Sequence, residues 1–297
     1  MIDFEFHNPA LLDDALQLLE RYGGDAQLMA GGTALVLQMK QRFAQPAHVI
    51  GLRPLAQSGG LGSVEDTGGA LRIGSLCTLR RLEDHPLLRA LIPLLAETVS
   101  LVATRRIRSM ATIGGGLVNG DPNQDPPPTL IALGASVELT SPSGIRICPV
   151  EELFIDYYET GVRHDEILTA VMVPVPQEDT SGAYLKFLPR TAEDYATVSV
   201  AAVVSRGPDN VCRDIRIALG AVGTTPVRAH AAEALLRGQE LTGDAIRAAA
   251  ATVPDAVDPL DDFRGSADYK REMAGVFTRR AVAQALSTPS PSGIGLG

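Results

Sequence analysis

Apolar positions first recur at helical spacing at Leu12, Ala15, Leu16 and Leu19, behind Asn8-Pro9 and ahead of Gly23-Gly24. That pattern predicts a helix with Asn8 as N-cap, Pro9 at its first position, Asp13 and Asp14 near the positive end of its dipole, and the glycine pair as its stop. Residues 26–30 read as a strand leading into Ala30-Gly31-Gly32-Thr33-Ala34, residues 35–41 as a turn or two of helix, and residues 48–50 as a second strand. Residues 1–56 are thereby expected to form a small α/β unit. A glycine-rich break follows at 57–62. Beyond it, residues 70–76 read as a strand, Thr78 as the cap of a short helix, and Pro86 as the start of an apolar helix interrupted at Pro93. Residues 136–140 and 145–148 flank Pro142-Ser143-Gly144 as a hairpin, and residues 166–173 are a further strand, so 57–176 is expected to be a second unit. From Gln177 a run of strands (184–188, 197–205, 214–222) precedes a run of helices (227–237, 244–253, 266–286). Strands followed by helices predict an α+β domain over 177–287, with 288–297 a disordered tail rich in Pro, Ser and Gly.

Composition narrows the partners. Among 297 residues, hydrophobic types make up 45%, Trp is absent and aromatics are 4%, so the cores should be aliphatic. A net charge of −9 argues against nucleic acid, which needs a basic face. The one basic cluster, Arg105, Arg106 and Arg108, reads as a solvated or interface strip. Cys77, Cys148 and Cys212 stand alone, and His7, His48, His85, His164 and His230 are scattered without metal-ligand spacing. Buried thiols in a reducing compartment are expected, with no metal site and no iron–sulfur cluster on this chain. The opening residues lack a signal-peptide pattern and no apolar run reaches membrane-spanning length, so a cytoplasmic protein without a membrane span is expected.

Two glycine segments carry the candidate chemistry: residues 30–34, and Thr112-Ile113-Gly114-Gly115-Gly116 continuing to Asp121-Pro122 and Asp125. Glycines let backbone N–H groups approach an anion closely and turn through positive φ. No Lys or Arg lies between Gly23 and Met39 or between Ser109 and Leu130, so a phosphate there would depend on backbone dipoles and on the Thr33 and Thr112 hydroxyls. A dinucleotide-binding fingerprint would use Gly114 and Gly116, but position 119 is Asn, and the prolines at 126–128 are expected to exclude a helix there. Plain turns account for Gly59-Gly60 and Gly68-Gly69 but poorly for 112–125. A nucleotide-phosphate site is the favoured reading, with the nucleotide left open.

These residues resemble a known family. The paired segments 30–35 and 112–125, Lys186-Phe187 with Arg190, Asp194-Tyr195-Ala196, and Arg264 with Tyr269-Lys270 are similar to the motifs of the FAD-binding medium subunit of molybdenum hydroxylases, the group of xanthine and carbon monoxide dehydrogenases. The resemblance implies an α+β architecture: a two-subdomain FAD-binding domain of the vanillyl-alcohol oxidase (PCMH) type, then a C-terminal domain of three-stranded antiparallel sheet with a helical bundle. It implies that Leu28, Met29, Ala30, Gly31, Gly32, Thr33, Ala34 and Leu35 wrap a diphosphate from one side, and Thr112, Ile113, Gly114, Gly115 and Gly116 from the other. Asp125 would accept hydrogen bonds from the adenosine ribose, and Asp121 belongs to the same motif. Val102 and Ile167 or Leu168 would contact the cofactor, Lys186 would offset charge on the reduced ring, and Tyr195 would lie against the isoalloxazine and gate access to it. Gly116 stands where the family usually has Asn, and Ala34 where many members have Asp or Ser. Neither glycine segment contains His or Cys, so the FAD is expected to be non-covalent.

The implied role is electron transfer. FAD would take electrons from [2Fe–2S] clusters of a small partner subunit, a large partner subunit would carry the molybdenum cofactor, and the whole would form a dimer of heterotrimers. A free-standing FAD oxidoreductase of the same fold and a non-catalytic nucleotide-binding scaffold are the rival classes.

Overall fold

The protein's computed structural model describes residues 2–191, 194–207 and 209–288; most of the expected C-terminal tail, 289–297, lies outside the described residues. The first unit is built from β1 (Glu5–His7), α1 (Leu12–Tyr22), β2 (Ala26–Met29), α2 (Leu35–Gln41) and β3 (His48–Gly51). Its sheet is parallel, in the order β1-β3-β2. Ala15, Leu16 and Leu19 of α1 pack on it, as their spacing predicts. The helix starts later than expected, at Leu12, so Asn8 and Pro9 neither cap nor open it. Asp13 and Asp14 do lie in its first turn, and Gly23 at φ 49° ends it. β1 has three residues and no alternation long enough to be read from sequence.

The second unit follows a short helix α3 (Leu55–Ser58) and contains β4 (Val64–Asp66), β5 (Ala70–Gly74), α4 (Leu79–Glu83), α5 (Pro86–Leu91), α6 (Pro93–Ser100), α7 (Arg105–Arg108), α8 (Ile113–Asn119), α9 (Pro126–Ala132), β6 (Ser136–Ser141), β7 (Gly144–Pro149), β8 (Phe154–Asp156), β9 (Glu159–Thr160) and β10 (Ile167–Pro174). Its main sheet is antiparallel, in the order β4-β5-β10-β6-β7. Pro93 divides α5 from α6, because each helix can take a proline only in its first turn.

Two expectations fail here. The triple glycine, expected to be free to turn through positive φ, lies inside α8 and has no positive φ. Pro126, Pro127 and Pro128 open α9 rather than exclude a helix, since first-turn residues need no intrahelical N–H.

The last unit is a meander, β11 (Thr180–Phe187), β12 (Val198–Arg206) and β13 (Cys212–Gly220), with the two-residue β14 (Val227–Arg228) added at its edge. The sheet is therefore four-stranded where three strands were expected. Helices α10 (His230–Leu236), α11 (Gly243–Ala250) and α12 (Ala267–Ser287) cover one face, and α9 of the second unit covers the other. The fully buried Glu233 carboxylate ties α10 to the sheet, accepting from Arg228, Arg237 and the Ile217 N–H. Of three aliphatic clusters among the described residues, one centres on the first unit, one spans the second unit and the α9 face of the third unit's sheet, and one lies between that sheet and α10–α12; the three cysteines are free and buried.

Candidate functional site

Parallel pairing of β2 with β3 carries the chain to Met29, whose carbonyl accepts from the Leu52 N–H, and then releases it. The released segment turns at Gly32, which has φ +71°, a conformation open to Gly and costly to residues with a Cβ. Among the described residues, the N–H groups of Gly31, Gly32, Thr33 and Ala34 meet no protein acceptor. Successive free backbone donors in a turn are a concave anion-binding element. Leu35 then begins α2.

The opposite wall is the start of α8. Thr112 caps it, its Oγ1 accepting from the Gly115 N–H at 3.1 Å. The Ile113 N–H donates to the Cys77 carbonyl and the Gly114 N–H to that of Ser75. These donors are thus committed inside the protein, contrary to the expectation that the three glycines present free N–H groups. Their absent side chains allow close packing instead. A Cβ on Gly114 would stand 2.5 Å from the Ser75 Cβ, and one on Gly31 would stand 1.9 Å from the Met110 carbonyl oxygen. A Cβ on Gly115 would come within 3.3 Å of the Ala30 Cβ. Beyond them, Gln38 of α2 donates to Asn119 of α8 at 3.4 Å. The two glycine segments, about eighty residues apart in sequence, therefore face each other across the seam between the first and second units. At Gly116 the Gln124 amide donates to the Gly116 carbonyl at 2.8 Å, and its Oε1 lies 2.8 Å from where a Cβ would be. Gln124 thus occupies space next to Gly116 that a side chain at position 116 would claim.

The turn after α8 joins the third unit. Asp121, 5% exposed, accepts through Oδ1 from the Asn123 N–H and side-chain amide, and through Oδ2 from the Tyr195 hydroxyl at 2.8 Å. Burial, reinforced by the Asp121 charge, pushes the Tyr195 phenol upward, so it stays a protonated donor. Its ring is half exposed, with the Arg264 guanidinium 5.6 Å from the ring centroid. Arg264 is placed in turn by Asp262, which also pairs with the buried Lys270.

Asp125 joins the second unit to the third. At 3% exposed, it accepts from the Tyr184 hydroxyl at 2.6 Å through Oδ1 and from Lys186 Nζ at 2.9 Å through Oδ2, one bond to each carboxylate oxygen. Lys186 also donates to the Leu101 carbonyl at 3.0 Å and pairs its charge with Asp125. Val102, next to Leu101, has its carbonyl held by Arg108. Arg108 also bonds Glu83 and the Ala103 carbonyl, so of the basic cluster only Arg105 and Arg106 form a solvated strip. Ile167 and Leu168 are buried on opposite faces of β10, in the clusters of the first and second units respectively. Leu28, Met29 and Ala30 are half buried at the end of β2, and Thr33 is exposed. Tyr184, Asn123, Gln124 and Asp262 escaped the sequence reading; each acts through a partner distant in sequence or through a local turn without a motif.

Comparison with known proteins places this arrangement. Residues 2–176 match the family described as the FAD binding domain in molybdopterin dehydrogenase, and residues 183–285 the one described as the CO dehydrogenase flavoprotein C-terminal domain. The chain is 37% identical over 279 residues to the carbon monoxide dehydrogenase medium chain of Hydrogenophaga pseudoflava, covering 94% of this chain and 96% of that one. It is 30% identical over 289 residues to the xanthine dehydrogenase FAD-binding subunit of Escherichia coli O157:H7, covering 97% and 98%. In three dimensions it is similar to a chain of the solved carbon monoxide dehydrogenase from H. pseudoflava, in the form lacking the Mo-pyranopterin moiety of the molybdenum cofactor. The TM-score is 0.92 at 38% identity, over 97% of this chain and 99% of that chain. No helix among the described residues is long and apolar enough to cross a membrane.

Proposed function

This chain belongs to the family of FAD-binding medium subunits of molybdenum hydroxylases, and from that premise we propose that it is the electron-transfer subunit of such a complex. FAD supplies a two-electron store between one-electron iron–sulfur donors and an external acceptor. The proposed partners are a large molybdenum-cofactor subunit and a small [2Fe–2S] subunit, paired as a dimer of heterotrimers in the cytoplasm. The proposed domains are 1–56 and 57–176 for the cofactor and 177–287 for the C-terminal part, a division that the separate three-, five- and four-stranded sheets support.

One observation carries the cofactor assignment: four consecutive N–H groups that meet no acceptor among the described residues, at Gly31 to Ala34, on the seam where the two glycine segments meet. They suit the diphosphate of a dinucleotide, which needs donors and no side-chain volume. Thr33 and Thr112 add hydroxyls, Leu28 to Ala30 lead into this cradle, and Leu35 and Gly116 close its far ends. Asp125 and Lys186 act as the clamp that fixes the C-terminal domain against the cofactor-binding domain. Asp121 holds the Tyr195 phenol in one orientation, so that its half-exposed ring lies against the flavin and gates the approach of an acceptor.

The test is isolation of the tagged chain from its own cells. One acid-releasable FAD per chain is expected, with molybdenum and iron in the co-purifying fraction. Folded chain that takes up no FAD would sink the assignment, and FAD without molybdenum and iron would favour a free-standing oxidoreductase. Tyr195→Phe is expected to keep its FAD and to change the rate at which the reduced protein is reoxidised by its acceptor. An unaltered rate would remove Tyr195 from the gating role.

A further inference from the structure

We propose that Glu5, His7 and His48 form a binding site for one divalent cation of the zinc class, at the end of the first sheet away from the flavin loop. Parallel pairing of β1 with β3 puts Glu5 beside His48, and His7, two residues on, projects from the same face of β1 as Glu5. His7 Nε2 and His48 Nδ1 are 3.1 Å apart, Glu5 Oε2 is 3.5 Å from His48 Nδ1, and Glu5 Oε1 is 3.9 Å from His7 Nε2. In tetrahedral zinc sites, metal–ligand bonds of about 2.0–2.1 Å put donor atoms roughly 3.3–3.4 Å apart. The three separations bracket that value, so modest side-chain movement seats an ion.

Both rings are already oriented. Tyr22 stacks on His48 at 3.7 Å between centroids and 17° between planes, and on His7 at 5.1 Å and 29°. Two imidazole nitrogens facing each other must share a proton when no ion is bound, and a cation replaces that proton with a bond to each. Two imidazoles and one carboxylate suit zinc, copper or nickel better than calcium or magnesium, which prefer oxygen. Three protein ligands leave a fourth position for water. The ion would clip β1, an edge strand that among the described residues pairs only with β3, onto its sheet. In this parallel sheet His48 begins β3 and pairs with Ala26 at the start of β2, whereas the Gly31 to Ala34 donors follow the end of β2. The proposal therefore stands apart from the flavin reading, and either can fail without the other.

The spacing of 2 and 43 positions hid the set from sequence inspection, because only strand pairing brings His48 to β1. The test is calorimetric titration of the full chain, stripped with chelator, with zinc, together with cobalt(II) absorption. One equivalent of zinc binding at micromolar or tighter concentration is expected, with visible cobalt bands of a low-coordinate nitrogen and oxygen site. His48→Gln and Glu5→Gln should each weaken zinc by tenfold or more and abolish the cobalt bands. Glu5 is exposed, so its variant keeps the fold even if His48→Gln does not. No stoichiometric uptake by the unaltered chain, or equal zinc affinity in Glu5→Gln and the unaltered chain, would overturn the proposal.

Discussion

Gly31→Val is expected to empty the protein of flavin, leaving less than about a tenth of the unaltered FAD content after gel filtration. A Cβ at Gly31 would lie 1.9 Å from the Met110 carbonyl oxygen, 2.7 Å from its carbon and 3.1 Å from the Ala111 Cα. All three are backbone atoms, so no rotamer change relieves the clash, and the two segments must separate. Overpacking of this sort costs typically about 1–3 kcal/mol where side chains can yield, and more against backbone. The strain falls on the seam that carries the unpaired Gly31 to Ala34 donors. Gly114→Val should act likewise, since its Cβ would meet Ser75 at 2.5 Å from Cβ and 2.9 Å from the carbonyl oxygen. Gly24→Ala is the control: nothing lies within 4 Å of a Cβ there, and FAD should be retained. The C-terminal sheet should remain folded in both Val variants, because its cluster of Val198, Val200, Ile215, Ile217 and their neighbours is separate. The measurement is flavin absorbance relative to protein, with circular dichroism on the same samples. Full flavin content in Gly31→Val would show that the seam is not the cofactor site.

Asp125→Ala is expected to destabilise the protein by about 3–5 kcal/mol, the usual cost of leaving one member of a buried ion pair without its partner. Asp125 and the Lys186 side chain are 3% and 4% exposed, so water cannot take over the lost contact. Lys186→Met should also destabilise, but in a pH-dependent way. Burial pushes the Asp125 carboxyl above its ordinary range, and the Lys186 charge and Tyr184 hydroxyl oppose that push. Removing Lys186 leaves burial less opposed. A carboxyl whose folded pKa lies above its unfolded value binds more protons when folded, so folding is favoured on the acid side and loses ground as pH rises through that window. The penalty of Lys186→Met should therefore be larger at pH 7 than near pH 4. The double variant should recover part of the loss, because a neutral pair leaves no buried charge. Urea unfolding at the two pH values reads all three effects. An Asp125→Ala midpoint indistinguishable from the unaltered protein would remove the pair as the clamp between domains.

Legibility in the sequence followed the range of the interactions. Helix α2 was read at its observed bounds, and Thr78 as the cap of α4, because apolar spacing and capping are local. The hairpin of β6 and β7 was signalled by Pro142-Ser143-Gly144 for the same reason. The triple proline misled because proline forbids helix interiors but not first turns, and which of these applies depends on where the preceding turn ends. The triple glycine misled in a related way. It marks a place of close approach, and sequence cannot say whether the approaching group is a ligand or the protein's own Ser75 and Met110.

What the sequence by itself determined was the family, the succession of elements and the two glycine segments, since these rest on local pattern and motif. Only the tertiary structure decided what each polar group does. Asp125 faces Lys186 and Tyr184, Asp121 faces Tyr195, and His48 faces His7 because strands and helices far apart in sequence are packed side by side. A buried charge takes the partner that packing brings within about 3 Å, and packing is a property of the whole chain rather than of any stretch of it.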